Sequence, residues 1–253
     1  MTGELIEHRQ ILTVTGEDRI PFLQGLVTND VDKLSDGLVY AALLSPQGKY
    51  LADFFLVPQP EAILIDVADT LAPALLKRLT MYRLRAKVDV TPADIAVTGG
   101  TGPAPDGGFA DPRHPALGWR AYGLSGDTPQ TDWASLYVTH QIPASGAELI
   151  PDTSYILEMG FERLNGVDFK KGCYVGQEVT ARMKHKTELR KGLAKVALDG
   201  SAAQGTEITA DGKPVGTLHT VAGNQALAYL RFDRAKGTMQ AGAATLTLTP
   251  PTG

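Results

Sequence analysis

Two apolar runs separated by four residues restrict the fold of this chain more than any other feature. The runs are LVYAALLS (38–45) and YLADFFLV (50–57), and PQGK (46–49) stands between them. Apolar runs of strand length joined by a short turn that contains Pro and Gly predict a β-hairpin. A fold with an antiparallel sheet is therefore expected.

Further strands and helices surround the hairpin in the first hundred residues. Alternation of apolar and polar residues predicts strands, and apolar residues at helical spacing predict helices. The predicted elements are a strand over 11–16, a short helix within 17–31 with Ile20, Leu23 and Val27 on one face, a strand over 62–68, a helix over 70–84 with Asp69 as its N-cap, and a strand over 86–93. Strands and one or two helices in this order predict an α+β fold.

The character of the sequence changes twice further along the chain. Residues 99–115 are rich in Gly and Pro, which predicts a loop or linker, and residues 132–142 predict a helix capped by Asp132. From residue 193 onward, short strand-like runs alternate with turn residues, which is typical of a small β-barrel. The predicted division is one region over 1–190 and a barrel over 191–253.

Charge and cysteine content restrict the environment and the partners. The chain has 253 residues, a formal net charge of −4 and one cysteine. The mild acidity argues against nonspecific nucleic-acid binding. No apolar run is long enough for a membrane span, and the first ten residues lack the apolar core of a signal peptide. One cysteine without an internal disulfide partner predicts a reducing, cytoplasmic compartment.

That cysteine, Cys173, lies in the stretch KKGCYVGQEVTARMKHK (170–186). If a helix begins near Gly176, Cys173 lies just before its N-terminus and beside two lysines. Positive charge and a helix N-terminus both favour the thiolate form, so a reactive thiol is one hypothesis. The alternative is a buried cysteine that serves as a small apolar side chain.

Nothing in the spacing selects a partner for this thiol. His185 is twelve residues away, and the sequence has no CxxC or HxxxH pattern that would hold a metal within one chain. A single thiolate can still be one ligand of a site shared with another chain. Cys/His nucleophilic catalysis is left open.

Asp53 is a second candidate. Strand alternation predicts that it shares a face with Leu51, Phe55 and Val57. A carboxylate on an apolar face is costly unless it is paired, so Asp53 is either an acid in a pocket or an edge residue that reaches water. The basic stretch over 182–195 is either a solvated surface or an attraction for a polyanion.

The motif around Cys173 resembles a known family. KGCYVGQE followed by Arg182 matches the K-G-C-[FY]-x-G-Q-E-x-x-x-R signature of the YgfZ family of folate-binding proteins, which are relatives of the glycine-cleavage aminomethyltransferase. The similarity extends over most of the chain, and the segment 176–193 is especially similar to the mitochondrial branch. The other matching segments are LTVTGEDRIPFLQGLVTNDV, SPQGKYLADFFLV and DPRHPALGWR.

The resemblance implies an aminomethyltransferase folate-binding fold with an interleaved ferredoxin-like subdomain, followed by a C-terminal β-barrel. It implies that the region 1–190 binds tetrahydrofolate or polyglutamylated folate, with Asp53, Asn29 and Glu158 as contacts. It also implies that Cys173 is the functional residue of the motif. The motif residues that accompany it are Lys171, Gly172, Tyr174, Gly176, Gln177, Glu178 and Arg182.

Family members assist the assembly or repair of [4Fe–4S] clusters in client enzymes, together with A-type scaffold proteins. Some of those clients modify transfer RNA. The chain departs from the transferases at Arg120, near the position of their folate-clamping glutamate. An accessory factor is therefore the first hypothesis, and whether the chain is an enzyme is left open. The alternatives are a folate-dependent aminomethyl or one-carbon transferase and an RNA-binding module, although no stacking aromatics interrupt the basic stretch.

Overall fold

A computed structural model describes residues 3–185 and 188–249 of the chain. The chain forms two compact units that alternate along the sequence. The first unit comprises residues 1–131 and 162–179, and the second comprises residues 132–161 and 180–253.

The first unit contains two antiparallel sheets and two helices. Its strands and helices are β1 (Glu4–Leu5), β2 (Arg9–Thr15), α1 (Arg19–Gln24), β3 (Val39–Leu44), β4 (Tyr50–Pro58), β5 (Ala62–Ala68), α2 (Ala72–Tyr82), β6 (Asp89–Ala93), β7 (Val97–Gly100), β8 (Phe109–Ala110) and β9 (Trp119–Tyr122). The larger sheet has the order β3-β4-β5-β2-β6, and the smaller has the order β1-β7-β9-β8. The predicted hairpin is confirmed as the pair β3–β4.

The hairpin contains a β-bulge that changes which side chains share a face. Ala52 lies opposite Leu43, but Tyr50 lies opposite Leu44, so the register shifts by one residue next to the turn. An extra residue in one strand moves the preceding side chains to the other face. The prediction that Leu51 shares a face with Asp53 is therefore wrong, because Leu51 packs in the apolar core with Phe54.

That core lies on the face of the larger sheet that carries Phe54 and Leu56. Helix α2 contributes Ala72, Leu75 and Leu79 to it at helical spacing. The predicted cap Asp69 is wrong: the residue at the N-cap of α2 is Leu71, and no side chain caps the helix. In α1, Leu23 is buried as its helical spacing predicts, whereas Ile20 is exposed.

The second unit is a closed barrel with one packed helix. Its elements are α3 (Trp133–His140), β10 (Lys191–Asp199), β11 (Glu207–Ala210), β12 (Lys213–Ala222), β13 (Gln225–Arg231), β14 (Thr238–Ala241) and β15 (Ala244–Leu248). The strands pair in the order β10-β13-β12-β11-β14-β15 and close on β10. The predicted cap of α3 is confirmed, since Asp132 accepts a hydrogen bond from the Ser135 amide. A further helix, α4 (Gln177–Lys184), begins in the first unit and ends in the second.

None of the helices in the described part of the chain combines the length and the apolar character that crossing a membrane requires.

Candidate functional site

Cys173 is exposed, in a loop that ends at the first residue of α4. The alternative of a buried apolar filler is therefore wrong. The thiol is nevertheless not on a loosely attached segment, because residues on both sides of it are anchored in the first unit.

Lys171 anchors the loop on the N-terminal side of the thiol. Its side chain is 8% exposed, and its ammonium donates to the carbonyl oxygens of Gln24, Val27 and Asn29 at 2.8, 2.6 and 2.9 Å. Gln24 ends α1, where carbonyl groups lack partners within the helix, so a cation there satisfies them. Burial lowers the pKa of Lys171 to about 8, which still leaves the side chain protonated at neutral pH.

Asp168 fixes the backbone just before the motif. One carboxylate oxygen accepts from the amides of Lys170 and Lys171 at 2.6 and 3.1 Å, and the other pairs with Lys33 at 2.6 Å. Burial alone would raise the pKa of Asp168, but the hydrogen bonds from Lys33 and from the backbone amides outweigh it and lower that pKa. This bonding pattern closes the turn from which Lys171 points inward.

Tyr174 and Gly176 anchor the loop on the C-terminal side of the thiol. Tyr174 is buried, and its ring centroid lies 5.2 Å from the Lys171 ammonium, within cation–π range. Gly176 has φ +82°, and a Cβ there would lie 2.5 Å from the carbonyl oxygen of Ser45 in the hairpin turn. The motif therefore needs glycine at 176 for close approach to the β3–β4 turn.

The other motif residues are on the surface. Gly172 is exposed, and a Cβ there would meet no atom within 4 Å. Gln177 and Glu178 occupy the first turn of α4, as predicted, and Glu178 and Arg182 are exposed one helical turn apart. The motif thus divides into buried anchors and an exposed set around Cys173.

Asp53 is buried on the face of the larger sheet opposite the apolar core. Its two carboxylate oxygens accept hydrogen bonds from the hydroxyls of Tyr50 at 2.6 Å and Tyr40 at 3.0 Å. The bulge brings Tyr50 to this face, since residues three apart in a regular strand point to opposite faces. Burial, then the Asp53 carboxylate, raises the pKa of Tyr40 well above its usual value, so its hydroxyl remains a donor.

Aromatic rings and guanidinium groups extend this face beyond Asp53. The rings of Tyr40 and Phe55 lie 5.3 Å apart, and the Arg113 guanidinium lies 5.6 and 4.9 Å from their centroids. Arg113 is held by Asp111 through two bonds at 3.0 and 2.8 Å. The result is a buried acid with an aromatic and cationic surrounding.

A buried ion cluster follows on the next strand. Asp66 of β5 pairs with Arg9 at 2.6 Å and with Arg120 at 2.8 Å, and Tyr122 donates to it at 3.0 Å. Burial alone would raise the pKa of Asp66, but Arg9 and Arg120 outweigh it and lower that pKa. Arg120 is thus committed to an ion pair within the first unit.

Asn29 connects the Cys173 motif to the Asp53 face. Its amide nitrogen donates to the carbonyl oxygens of Tyr40 at 2.8 Å and Asn165 at 2.7 Å. The backbone carbonyl oxygen of Asn29 accepts a hydrogen bond from the Lys171 ammonium. Contacts through Lys171, Asn29 and Tyr40 therefore form a continuous path from the loop of Cys173 to Asp53.

Glu158 belongs to the second unit. It accepts a hydrogen bond from the hydroxyl of Tyr229 at 2.6 Å, and its backbone carbonyl accepts from the Leu193 amide at 2.8 Å. Burial, then this hydrogen bond, raises the pKa of Tyr229, so the hydroxyl keeps its proton. The structure therefore gives Glu158 a partner on the barrel.

The basic stretch over 182–195 is exposed at Arg182, Lys184, Arg190 and Lys191 but not at its last cation. Lys195 is 4% exposed, and its ammonium donates to the Thr139 carbonyl at 3.2 Å. Lys186 of the same stretch lies outside the described residues. A backbone-tracking surface needs exposed cations, so Lys195 would not contribute to one, and the RNA-binding alternative stays a prediction.

Several residues of the site are absent from the sequence-based prediction. Tyr40 reaches Asp53 from the neighbouring strand, and Tyr50 reaches it because of the bulge next to the turn. Asp168 could have been noticed, since Asp often forms an Asx turn in which its carboxylate accepts from the backbone amide two residues later, here that of Lys170. Among residues 3–185 and 188–249, no group of three or more His, Cys, Asp or Glu side chains is placed to hold a metal ion.

The barrel and the fold both match known proteins. Residues 190–253 match the family model described as CAF17, C-terminal beta-barrel domain. The crystal structure of glycine cleavage system aminomethyltransferase T from Bartonella henselae is similar with a TM-score of 0.75, covering 97% of this chain and 85% of that one at 13% identity. The predicted aminomethyltransferase fold with a C-terminal barrel is confirmed.

Curated relatives decide the family. The iron–sulfur cluster assembly factor IBA57, mitochondrial, of Mus musculus is 31% identical over 92% of this chain and 78% of its own length, and the Homo sapiens protein gives the same figures. The chain belongs to the IBA57 family. A homolog from Mycosarcoma maydis is 33% identical over 74% of this chain, which spans about half (54%) of that protein.

Membership of the IBA57 family corrects one prediction and refines another. The predicted cytoplasmic location is wrong, because these relatives are named mitochondrial proteins and point to mitochondria. A single cysteine indicates a reducing environment but contains no targeting information, so it did not distinguish the cytoplasm from the mitochondrion. The resemblance to the YgfZ family stands as a motif match, whereas membership is shown for the IBA57 family.

Proposed function

We propose that this chain is an accessory factor in the assembly or repair of [4Fe–4S] clusters in client enzymes. Its relatives are named iron–sulfur cluster assembly factors, which supports the general role. The observation that carries the proposal for this chain is the exposed thiol of Cys173 on a loop held by buried anchors. A thiol that is fixed in position and open to solvent suits exchange with a partner.

In this proposal the Cys173 thiolate is a transient ligand to iron of a cluster that passes between proteins. Iron–sulfur clusters are usually held by four protein ligands. The chain contains a single cysteine, so the partner supplies the other ligands. The partners that fit this division are an A-type scaffold protein as the cluster source and a [4Fe–4S] enzyme as the recipient, among them enzymes that modify transfer RNA.

The exposed motif residues assist the thiol, and the buried ones position it. Gln177, Glu178 and Arg182 lie on the first turns of α4 beside Cys173 and would contact the partner. Lys171, Tyr174 and Gly176 would act through the loop, because their side chains or their backbone are committed to contacts within the first unit. Gly172 gives the partner access to the thiol, since no atom crowds it.

We further propose that tetrahydrofolate, or its polyglutamylated form, is the cofactor of the region 1–190, with the barrel over 191–253 as a separate domain. The chemistry of the Asp53 face suits a pterin, because an acid that accepts from hydroxyls also accepts from ring N–H groups. The rings of Tyr40 and Phe55 lie beside it but are buried, so a pterin would have to displace neighbouring groups to stack on them. Bound tetrahydrofolate would supply a carrier for one-carbon units.

The three predicted contact residues would have different parts in folate binding. Asp53 would accept from the ligand after exchange with a tyrosine hydroxyl. Asn29 would position Tyr40, since its amide is committed to backbone carbonyls. Glu158 stays a prediction as a ligand contact; it belongs to the second unit, where it accepts a hydrogen bond from the Tyr229 hydroxyl.

A cell-based replacement tests the cluster role. In cells whose own copy is deleted, Cys173→Ala should fail to restore [4Fe–4S] enzyme activity while a [2Fe–2S] enzyme in the same extract stays active. Lys170→Ala is the matched control, since it changes the neighbouring exposed side chain and keeps the thiol. Full restoration by Cys173→Ala would refute a functional thiol.

Calorimetry with tetrahydrofolate tests the cofactor separately. Wild type and Cys173→Ala should bind alike, and Asp53→Asn should bind more weakly. Absence of binding to wild type would refute the folate proposal and leave the role of Cys173 intact. Unchanged affinity in Asp53→Asn would remove Asp53 from the contact set.

The alternative of an aminomethyl or one-carbon transferase has one favourable observation. Asp53 is a buried acid on the sheet of a fold shared with an aminomethyltransferase. An assay of the purified wild-type protein with tetrahydrofolate and an aminomethyl donor tests this alternative, and turnover of the donor would show that the chain is an enzyme.

A further inference from the structure

The outer face of α2 and the turn after it carry an excess of positive charge. Residues 70–88 contain five basic residues and no acidic residue, in a chain whose net charge is −4. Residues 3–185 and 188–249 provide no ion pair for Lys77, Arg78 or Arg85. Lys77 lies outward because Leu75 and Leu79 use the opposite face of the helix to pack in the core. Arg78 is partly exposed at the side of the helix, and Arg85 is exposed in the turn after it.

Two large apolar side chains stand within this basic surface. Met81 is 66% exposed and Leu84 is 88% exposed, and they are the two most exposed large hydrophobic residues in the described part of the chain. Their spacing of three residues, with Lys77 one turn before Met81, places them along one side of the helix and its end. Exposed apolar groups with a charged rim mark interaction sites.

The backbone at Leu84 supports the same interpretation. Leu84 follows the C-cap of α2 with φ +41°, in the left-handed region where helices usually place glycine. A leucine there bears strain and gains no burial in return. Strain at an exposed side chain is a reason to look for a function that needs that side chain.

A concavity adjoins the exposed leucine. It is a shallow, open depression of about 530 Å³, lined by Gly16, Glu17 and the residues from Arg83 to Asp89. Surface ion pairs of Arg83 with Asp89 and of Lys87 with Glu17 border it, and such exposed pairs exchange easily. A side chain of a partner fits a concave site of this kind.

We propose that this surface, defined by Lys77, Arg78, Met81, Leu84 and Arg85, docks an acidic segment of a partner protein that carries a central apolar side chain. Charge complementarity selects the acidic partner, and arginine and methionine are enriched at protein interfaces. A lipid surface fits less well, because the apolar face by which an amphipathic helix enters a bilayer is packed in the core here. The inference does not depend on Cys173 or on folate.

Binding of a designed peptide to the full chain tests the proposal. The probe is a short fluorescent peptide of Glu and Asp with two central leucines, and its lysine counterpart is the probe control. Wild type should bind the acidic peptide, more tightly at about 50 mM than at about 200 mM salt, because screening weakens exposed charge attraction. The lysine peptide should not bind.

Two variants with equal change in net charge separate local from general attraction. Lys77→Glu/Arg78→Glu/Arg85→Glu should weaken peptide binding by about tenfold or more. The matched control Lys213→Glu/Arg234→Glu/Lys236→Glu reverses three exposed cations of the second unit and should retain most of the affinity. An equal loss in both variants would overturn the proposal.

The apolar centre is tested by Leu84→Gly. This substitution removes an exposed side chain and relieves the positive φ, so the urea midpoint should stay equal or rise while peptide affinity falls. Unchanged affinity would overturn the proposed apolar contact. No binding of the acidic peptide to wild type, or tighter binding to phosphatidylcholine vesicles with about a third phosphatidylserine, would overturn the docking of a protein partner.

Discussion

The ammonium of Lys171 lies 2.6 Å from the carbonyl oxygen of Val27, although the two residues are far apart in sequence. This bond and its two companions fix the loop that presents Cys173 to solvent. A motif lysine near a reactive thiol suggests electrostatic activation, but the side chain here points away from the surface. Its contribution is therefore to the position of the thiol.

Lys171→Met should lower the free energy of unfolding by about 2–3 kcal/mol, because it keeps the apolar stem and leaves three carbonyl groups without their charged donor. Lys170→Met is the control, since its exposed side chain should matter by no more than about 0.5 kcal/mol. Urea unfolding measures both. Equal stability of the two variants would contradict the anchoring role of Lys171.

Gly172 and Gly176, on either side of Cys173, should differ in their response to replacement by alanine. Gly176→Ala should destabilise the protein by more than about 1 kcal/mol, because φ is +82° and the new Cβ would lie 2.5 Å from a backbone oxygen. Gly172→Ala meets no atom within 4 Å and should be tolerated. Thermal unfolding of the pair checks this, and a tolerated alanine at 176 would show that the loop does not need its approach to the hairpin turn.

Tyr50→Phe should lower the free energy of unfolding by about 1.5–3 kcal/mol, since it removes a hydrogen bond to a charged, buried carboxylate. Tyr82→Phe is a partly buried control on α2. A double-mutant cycle with Asp53→Asn should show coupling, because the two side chains share one bond. Additive effects would mean that the hydroxyl and the carboxylate do not interact in solution.

Much of this fold follows from local sequence pattern, whereas the site depends on contacts between distant segments. The hairpin 38–57, helix α3 and the barrel strands were predictable because alternation, capping and turn residues lie within one short window. Leu71 at the N-cap of α2 was not, because no side chain caps that helix and the nearby Asp69 gave a false signal.

Cys173 and Asp53 stand out as candidates in the sequence because unusual residue types in unusual surroundings are visible locally. The inward direction of Lys171 was not visible, since its three acceptors come from residues 24–29. The partnership of Tyr50 with Asp53 was hidden as well. It depends on a bulge, and strict alternation places the two residues on opposite faces.

The buried cluster at Asp66 predicts a specific acid sensitivity. Its pKa is held below the usual value in the folded chain, so the group stabilises the fold above its unfolded-state pKa of about 3.9 and loses that contribution as pH falls toward the folded value. Asp66→Asn should cost about 3–5 kcal/mol at pH 7, because Arg9 and Arg120 lose their buried partner.

The stability difference between wild type and Asp66→Asn should therefore shrink as pH drops below about 4. Asp89→Asn, which removes an exposed pair with Arg83, is the control and should cost no more than about 1 kcal/mol. Urea unfolding at several pH values checks the trend. A difference that stays constant down to acid pH would contradict the ion-paired state of Asp66.

Cys173 should react completely with a maleimide in the native protein without denaturant, and because the chain has one cysteine the label reports this site alone. Cys173→Ser should leave the free energy of unfolding within about 0.5 kcal/mol of wild type, since an exposed side chain contributes little packing. In Lys171→Met, maleimide should label Cys173 at a rate that differs from the wild-type rate, because the loop loses its anchor. In the control Lys170→Met, the rate should match that of wild type. Mass spectrometry follows the reaction, and a thiol that reacts only after urea is added would contradict the exposed position on which the proposed function depends.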